Sequence, residues 1–238
     1  QAEWWAFAWK IPGKPVADIR IDGAGKKVTR SDNCRVSDLS VSSDNLTFTY
    51  EAKSLPYPID TSYYDNEKHT QADALSVIPF MDEMNYEGLS VSGLSDGYYG
   101  LTIGGEFIGR FTARELERGI NMALLQNTPQ YKQAMKIRQM NEERWLKERK
   151  MREFYWVEYN LMRKTGMLWA CNEAAVDTLR KYRPHDIFLQ WNGDLWLQYM
   201  HKGIREDCVN EQQDLVNQIY EQNKPIPLRI EIKKFTDL

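Results

Sequence analysis

The chain has 238 residues, 42% of them hydrophobic and 27% charged, with a formal charge of −3. That is enough apolar material for a sizeable core in one large domain or two small ones, and it excludes an intrinsically disordered chain. The near-neutral balance gives no overall signal for a nucleic-acid partner, and no run approaches the roughly 18 apolar residues of a membrane-spanning helix.

Residues 1–9, QAEWWAFAW, carry apolar and aromatic side chains on nearly every side, with no capping residue ahead of them. The pattern predicts that residues 1–14 are the remnant of a helix belonging to a larger packed unit, with Trp4, Trp5 and Trp9 requiring a partner surface. From Pro15 the period falls to two. Val16, Ile19 and Ile21 precede GAG at 23–25 and a second strand with Val28. VSDLSV at 36–41 precedes SSDN and then LTFTY at 46–50, where Leu46, Phe48 and Tyr50 share a face. These segments read as hairpins of an antiparallel sheet. Two prolines in SLPYPID, 54–60, end it, and the polar stretch 60–74 reads as a long loop. Strands resume over 86–111, with Leu101 and Ile103 on one face and Phe107 and Phe111 continuing it. Between them, Gly104-Gly105 is a two-residue primed turn. The glycines match neither G-x-G-x-x-G nor the P-loop, so they do not form a dinucleotide or phosphate cradle.

The remainder is largely helical. Thr112 with Glu115 forms a capping box opening a short helix that ends near Gly119. Thr128-Pro129 opens a second helix predicted to run to Gly166, about 55 Å at ~1.5 Å per residue. Tyr131, Ala134, Met135, Met151, Phe154, Tyr155 and Leu161 are its candidates for burial. Further helices are predicted at 167–182, 186–200 and 206–223. The second has an apolar stripe of Ile187, Phe188, Trp191, Leu195 and Tyr199, and the third one of Val209, Val216, Ile219 and Tyr220. PIPLRIEIKKF, 225–235, alternates at Leu228, Ile230 and Ile232 and reads as a strand returning to a sheet. The fold class is therefore α+β: an antiparallel, sandwich-like β-rich domain over 15–111, then a helical domain with a C-terminal strand over 112–238.

The sequence nominates no catalytic residue, no cofactor ligand and no metal ligand. It has no G-x-S-x-G elbow, and its only imidazoles are His69 in a polar loop, His185 before a helix as a cap or interface residue, and His201 at a helix end. Neither H-x-x-x-H nor a calcium-loop spacing is present, although Asp60, Asp65, Glu67 and Asp73 cluster in the long loop. Cys34, Cys171 and Cys208 are too widely spaced for a zinc site, and a single bridge among them stays open. Residues 132–164 hold ten basic and five acidic side chains; Glu142, Glu143, Glu148, Glu153 and Glu158 are spaced for surface pairing with them. Trp145, Trp156, Trp169, Trp191 and Trp196 lie on apolar helical faces, which favours packing over a ligand groove.

One stretch carries a family resemblance. Gly109, Phe111, Thr112, Glu115, Leu116, then Gly119, Ile120, Asn121, Met122, Ala123 and Leu124, then Thr128-Pro129, resemble the region after the catalytic core in a subgroup of bacterial SGNH or GDSL-type hydrolases. The ending IYEQNKPIPLRIEIKK is similar to the close of the same proteins, and the resemblance spans residues 4–233. It implies a serine esterase with an α/β/α core whose GDS-like and Asp-x-x-His blocks lie upstream of Gln1, so no residue of this chain inherits a catalytic role. It further implies an extracytoplasmic compartment, an upstream catalytic segment or another chain as the partner of Trp4, Trp5 and Trp9, and a carbohydrate or acyl ester as substrate. Asn121 would fix local backbone geometry. The alternatives are a non-catalytic carbohydrate- or peptide-binding module, and catalysis by an unfamiliar pair of carboxylates.

Overall fold

A computed structural model describes residues 15–62, 68–77 and 79–235 of the chain. The predicted tryptophan-bearing helix of residues 1–14 lies outside the described residues. The strands are β1 (Ala17–Asp22), β2 (Lys27–Asp32), β3 (Cys34–Val41), β4 (Asn45–Ala52), β5 (Glu87–Ser92), β6 (Tyr98–Ile103), β7 (Glu106–Thr112), β8 (Ile120–Asn121) and β9 (Leu228–Lys234). The helices are α1 (Phe80–Glu83), α2 (Ala113–Arg118), α3 (Pro129–Val157), α4 (Glu173–Tyr182), α5 (Ile187–Tyr199) and α6 (Lys202–Gln222). The chain divides into a β-rich unit, up to Lys136 and again from Asn223, and a helical unit, Ile137–Gln222.

The β-rich unit holds two sheets, ordered β2-β1-β5-β8 and β3-β4-β9-β6-β7. Each predicted hairpin is present, and the second sheet is antiparallel throughout. One pairing departs from the antiparallel expectation: β1 and β5 run parallel, with Ile19 opposite Leu89 and Ile21 opposite Val91. Strand period could not show this, because alternation fixes which face is buried and not the direction of a partner. Between β2 and β3 the chain changes sheets at a single residue. Asn33 adopts φ +56, a region that asparagine tolerates better than most residues. Its side-chain amide donates to the carbonyls of Pro15 and Val16, fixing the crossing point.

The C-terminal strand lies in the middle of the second sheet. Ile230 stands opposite Phe48 on one side and Ile103 on the other, and Ile232 between Leu46 and Leu101. All six are at most 1% exposed, so a segment distant in sequence completes a core drawn from both sheets. Gly104 and Gly105 adopt φ +59 and +86, as a primed hairpin turn requires. The expected Phe107–Phe111 face does not continue, however. Leu101 is opposite Gly109 and Thr102 opposite Phe107, leaving Ile108 as the extra residue of a bulge. Ile108 is therefore buried, and Phe107 is exposed.

Beyond β7 the capping box forms as predicted. Thr112 N–H donates to Glu115 Oε2 at 2.7 Å, and Glu115 N–H to Thr112 Oγ1 at 3.2 Å. Helix α2 stops at Gly119, whose φ of +96 few side chains tolerate. Asn121 then does what the sequence suggested: its Oδ1 accepts from Glu87 N–H and Ala123 N–H, while its Nδ2 donates to the carbonyls of Met81 and Asn85. Part of the predicted 60–74 loop is a short 3-10 helix, Gln71–Ser76, opened by a Thr70–Asp73 capping box.

In the helical unit, Met151, Phe154, Val157, Met162, Leu179, Leu189 and Trp196 form the core. The long helix does not reach Gly166 as an α-helix. After Val157 it widens into a π-helical segment, Glu158–Met162, closed by Arg163 N–H to the Glu158 carbonyl. Tyr155, expected to be buried, is exposed. Residues 167–172 are not helical, so α4 begins only at Glu173, where Asn172 Oδ1 accepts from Ala175 N–H. The expected stripe of α5 holds at its C-terminal end, where Tyr199 is buried and Leu195 packs on the core, but Ile187, Phe188 and Trp191 are exposed, and Leu189, Gly193 and Trp196 face the core instead. On α6 the same holds, with Val209 and Tyr220 exposed and Cys208 and Leu215 buried.

Candidate functional site

Two polar centres stand out among the described residues, one in each unit. In the β-rich unit it is Glu87. Strand alternation puts it on the face of Leu89 and Val91, and it is wholly buried. Tyr50 Oη donates to its Oε1 at 2.8 Å, and Gln130 Nε2 lies 3.3 Å from both carboxyl oxygens. No cationic side chain pairs with it among the described residues, so removal from water pushes its pKa up to about 7, against the relief given by Tyr50 and Gln130. The same burial pushes the Tyr50 phenol up, and the Cys34 thiol to about 11. Nearby Asp18 is the contrasting case. Also buried, it is held by the guanidiniums of Arg20 and Arg30 at 3.1 and 3.0 Å. Sealed from solvent, Glu87 presents no surface to a ligand.

The helical unit contains a cavity of about 420 Å³ lined by Trp156, Asn160, Leu161, Lys164, Thr165, Tyr182, His185, Asp186 and Leu189. Three local features build it. The π-helical segment supplies Asn160 and Leu161, and such one-turn widenings are frequent at functional sites. A turn at Arg183–His185 carries His185 past the end of α4. Asp186 then caps α5, its Oδ1 accepting from the N–H groups of Phe188 and Leu189 at 2.8 and 3.1 Å. The turn is held by Arg183, which reaches both carboxylate oxygens of Asp194 at 2.6 and 2.7 Å. Gly193 leaves room for it, since a Cβ there would lie 3.1 Å from the guanidinium. Trp156 is steadied by Phe188, with ring centroids 5.2 Å apart.

Glu158, expected on the surface with its neighbours, is instead 1% exposed. Its Oε1 accepts from Trp196 Nε1 and its Oε2 from the backbone N–H of Trp169, both at 2.8 Å. Through the second bond it holds Trp169 at φ +62, a conformation costly for a large side chain. The other four carboxylates do form surface pairs, Glu142 with Arg138, Glu143 with Lys147, Glu148 with Arg144 and Glu153 with Arg149. Among the described tryptophans Trp196 is fully buried and Trp156 packs partly buried on the core, as expected, whereas Trp145, Trp169 and Trp191 are exposed.

The three imidazoles are dispersed. His69 is exposed ahead of the 3-10 helix; His185 lines the cavity, and Asp186 rather than His185 caps α5. His201 Nδ1 lies 3.4 Å from Cys171 Sγ on an exposed surface, with no third side chain to orient the ring among the described residues. The cysteines are free thiols. Of the loop carboxylates, Asp73 serves the Thr70 capping box and Asp60 accepts from Ser62 N–H; Asp65 and Glu67 lie outside the described residues. Sequence reasoning passed over Glu87 and assigned Glu158 to the surface, yet each had a signal. Both stand where the local period, two or 3.6, places a buried side chain.

The helical unit lies within residues 135–224, which match the family model described as the diltiazem deacetylase C-terminal helical domain. The chain is also similar to a solved structure, BT4096, a gut microbial diltiazem-metabolizing enzyme. They share 35% identity and a TM-score of 0.90 over 98% of this chain. The chain spans about half of that enzyme, 53% of its length. No curated protein matches the chain.

Proposed function

We propose that this chain is an accessory, substrate-shaping part of a bacterial ester hydrolase of the SGNH type, with the nucleophilic serine and its histidine supplied by sequence upstream of Gln1. The observation that carries the reading is the 35% identity and TM-score of 0.90 to a diltiazem-metabolizing enzyme along nearly the whole chain. The helical-domain model, named for a deacetylase, supports hydrolysis of an acyl group as the reaction class. The SGNH type and an extracytoplasmic site of action rest on the resemblance of residues 109–129. In this reading Trp4, Trp5 and Trp9 pack on the upstream catalytic segment. A second reading, a carbohydrate- or peptide-binding module, is favoured by the exposed Trp145, Trp169 and Trp191 of the helical unit.

The test compares the 238-residue chain with a longer form carrying the preceding sequence, each assayed on acetyl esters with and without a serine-reactive phosphonate. Phosphonate-sensitive turnover by the longer form alone is the expected result. Such turnover by this chain alone overturns the assignment. An inert longer form, with saturable glycan or peptide binding by this chain, selects the second reading.

A further inference from the structure

We propose that Cys171 and His201 form a modification site, in which the thiol exchanges with small disulfides while the imidazole takes up its proton. The three free cysteines stand at different depths. Cys34 and Cys208 are buried, whereas Cys171 is exposed in the turn between Trp169 and α4. Exposure alone makes no site. The second element is His201, 30 positions further on and just after α5, whose Nδ1 lies 3.4 Å from the Cys171 sulfur.

The backbone is fixed on both sides of the pair. Asn172, the next residue, caps α4 through the Ala175 N–H, and the Trp169 N–H, two residues before, donates to the buried Glu158. Across from it, Arg205 donates to the carbonyls of Tyr199 and Met200 and so closes the end of α5 ahead of His201. The acid that follows in sequence, Glu173, is paired with Arg180 at 2.9 Å. With the ring protonated at Nε2, Nδ1 is an acceptor for the thiol proton. Nε2 has no partner among the described residues, which leaves it open to exchange protons with water. Hydroxyl nucleophiles need a third group to orient such a ring, but sulfur is intrinsically nucleophilic and is held back chiefly by its proton. Thiol exchange is therefore the chemistry that two residues can supply.

In the exchange, the Cys171 sulfur attacks one sulfur of the disulfide as its proton passes to Nδ1. The disulfide bond breaks, a new S–S bond joins Cys171 to one half, and the other half leaves as a thiolate that takes the proton from the ring. Cys171 is oxidised and the leaving thiol is reduced, so no further oxidant is needed.

The experiment treats the folded 238-residue chain with dithiodipyridine, an uncharged disulfide whose rate neighbouring ions do not bias, and follows thiopyridone release. One equivalent is expected in a fast phase, with the buried Cys34 and Cys208 reacting only after unfolding in guanidinium. Cys171→Ser removes the fast phase. His201→Gln keeps the single equivalent but slows it at least about tenfold, because an ordinary thiol is only a few per cent ionised near neutral pH and glutamine cannot take the proton. Both side chains are exposed, so neither variant disturbs the core, and circular dichroism confirms the fold. Oxidised glutathione in place of the probe leaves one adduct per chain by intact mass, absent from Cys171→Ser. An unchanged rate in His201→Gln, a fast phase surviving in Cys171→Ser, no fast phase in the wild type, or no glutathione adduct overturns the proposal. None of these readouts involves ester turnover, so failure here leaves the accessory-part reading standing.

Discussion

The two units handle the same problem, a glutamate on a buried face, with different chemistry. Glu87 is met only by neutral side chains, a phenol and a carboxamide, and its pKa rises to about 7. Glu158 is met by an indole and a backbone amide, and these bonds join three separate stretches of the helical unit: the π-helical segment, the Trp169 turn and α5. In the first case burial acts on the proton. In the second the carboxylate acts on the chain, holding Trp169 in a backbone conformation that it would not adopt unaided.

The largest effect that separates the two is expected from Trp196→Ala. Trp196 is fully buried and supplies one of the two bonds to Glu158. Truncating it leaves a cavity and an underbonded buried carboxylate, for a loss of roughly 3–5 kcal/mol. Urea unfolding of wild type and variant measures it. A loss below about 1 kcal/mol would mean that Glu158 does not organise the helical unit.

Next in size is a pH effect confined to the β-rich unit. Because burial raises the Glu87 pKa from 4.5 to about 7, the folded state keeps a proton that the unfolded chain has already released. Stability from this group is complete below about 4.5, falls as pH climbs to about 7 and is level above, a total of roughly 3 kcal/mol. Carboxylates whose pKa is lowered, such as Glu115 with its bonds from Thr112, contribute in the opposite sense and below this window. Glu87→Gln keeps a buried polar group but cannot titrate, so its stability should lose that slope. Denaturant midpoints between pH 5 and 8 check the point, and parallel curves for the two proteins would exclude Glu87 as the source.

How far the sequence could be read follows the same division. A strand has two faces, so Leu46, Phe48 and Tyr50, Leu101 and Ile103, and Leu228, Ile230 and Ile232 were assigned to the buried side by alternation, and every one is at most 6% exposed. Capping residues were equally legible, because Thr112, Glu115, Asn121 and Thr128 act on backbone groups within a few residues or through a short side-chain reach. What alternation misses is non-local or arises from insertion: the parallel β1–β5 pair and the Ile108 bulge. Helix α5 presents a different obstacle. With apolar residues around most of its circumference, many phases fit the 3.6 period, and the side that packs on the core is fixed by partners distant in sequence. The cavity was unreadable for a related reason, since it depends on a π-helical turn that no residue pattern announces.

The smallest effect tests that phase directly. Trp191 belonged to the stripe expected to be buried, yet it is 67% exposed and makes an edge contact with Phe188 at 5.5 Å. Trp191→Ser forfeits little more than that contact, so the stability change should stay below about 1 kcal/mol, whereas Leu189→Ala, on the face turned to the core, should cost about 2–5 kcal/mol. The pair is informative because the two residues differ by only two positions on one helix and both are large and apolar, so composition cannot distinguish them. Reversal of the order, with Trp191→Ser the more damaging, would place the buried face of α5 on the side of Ile187, Phe188 and Trp191.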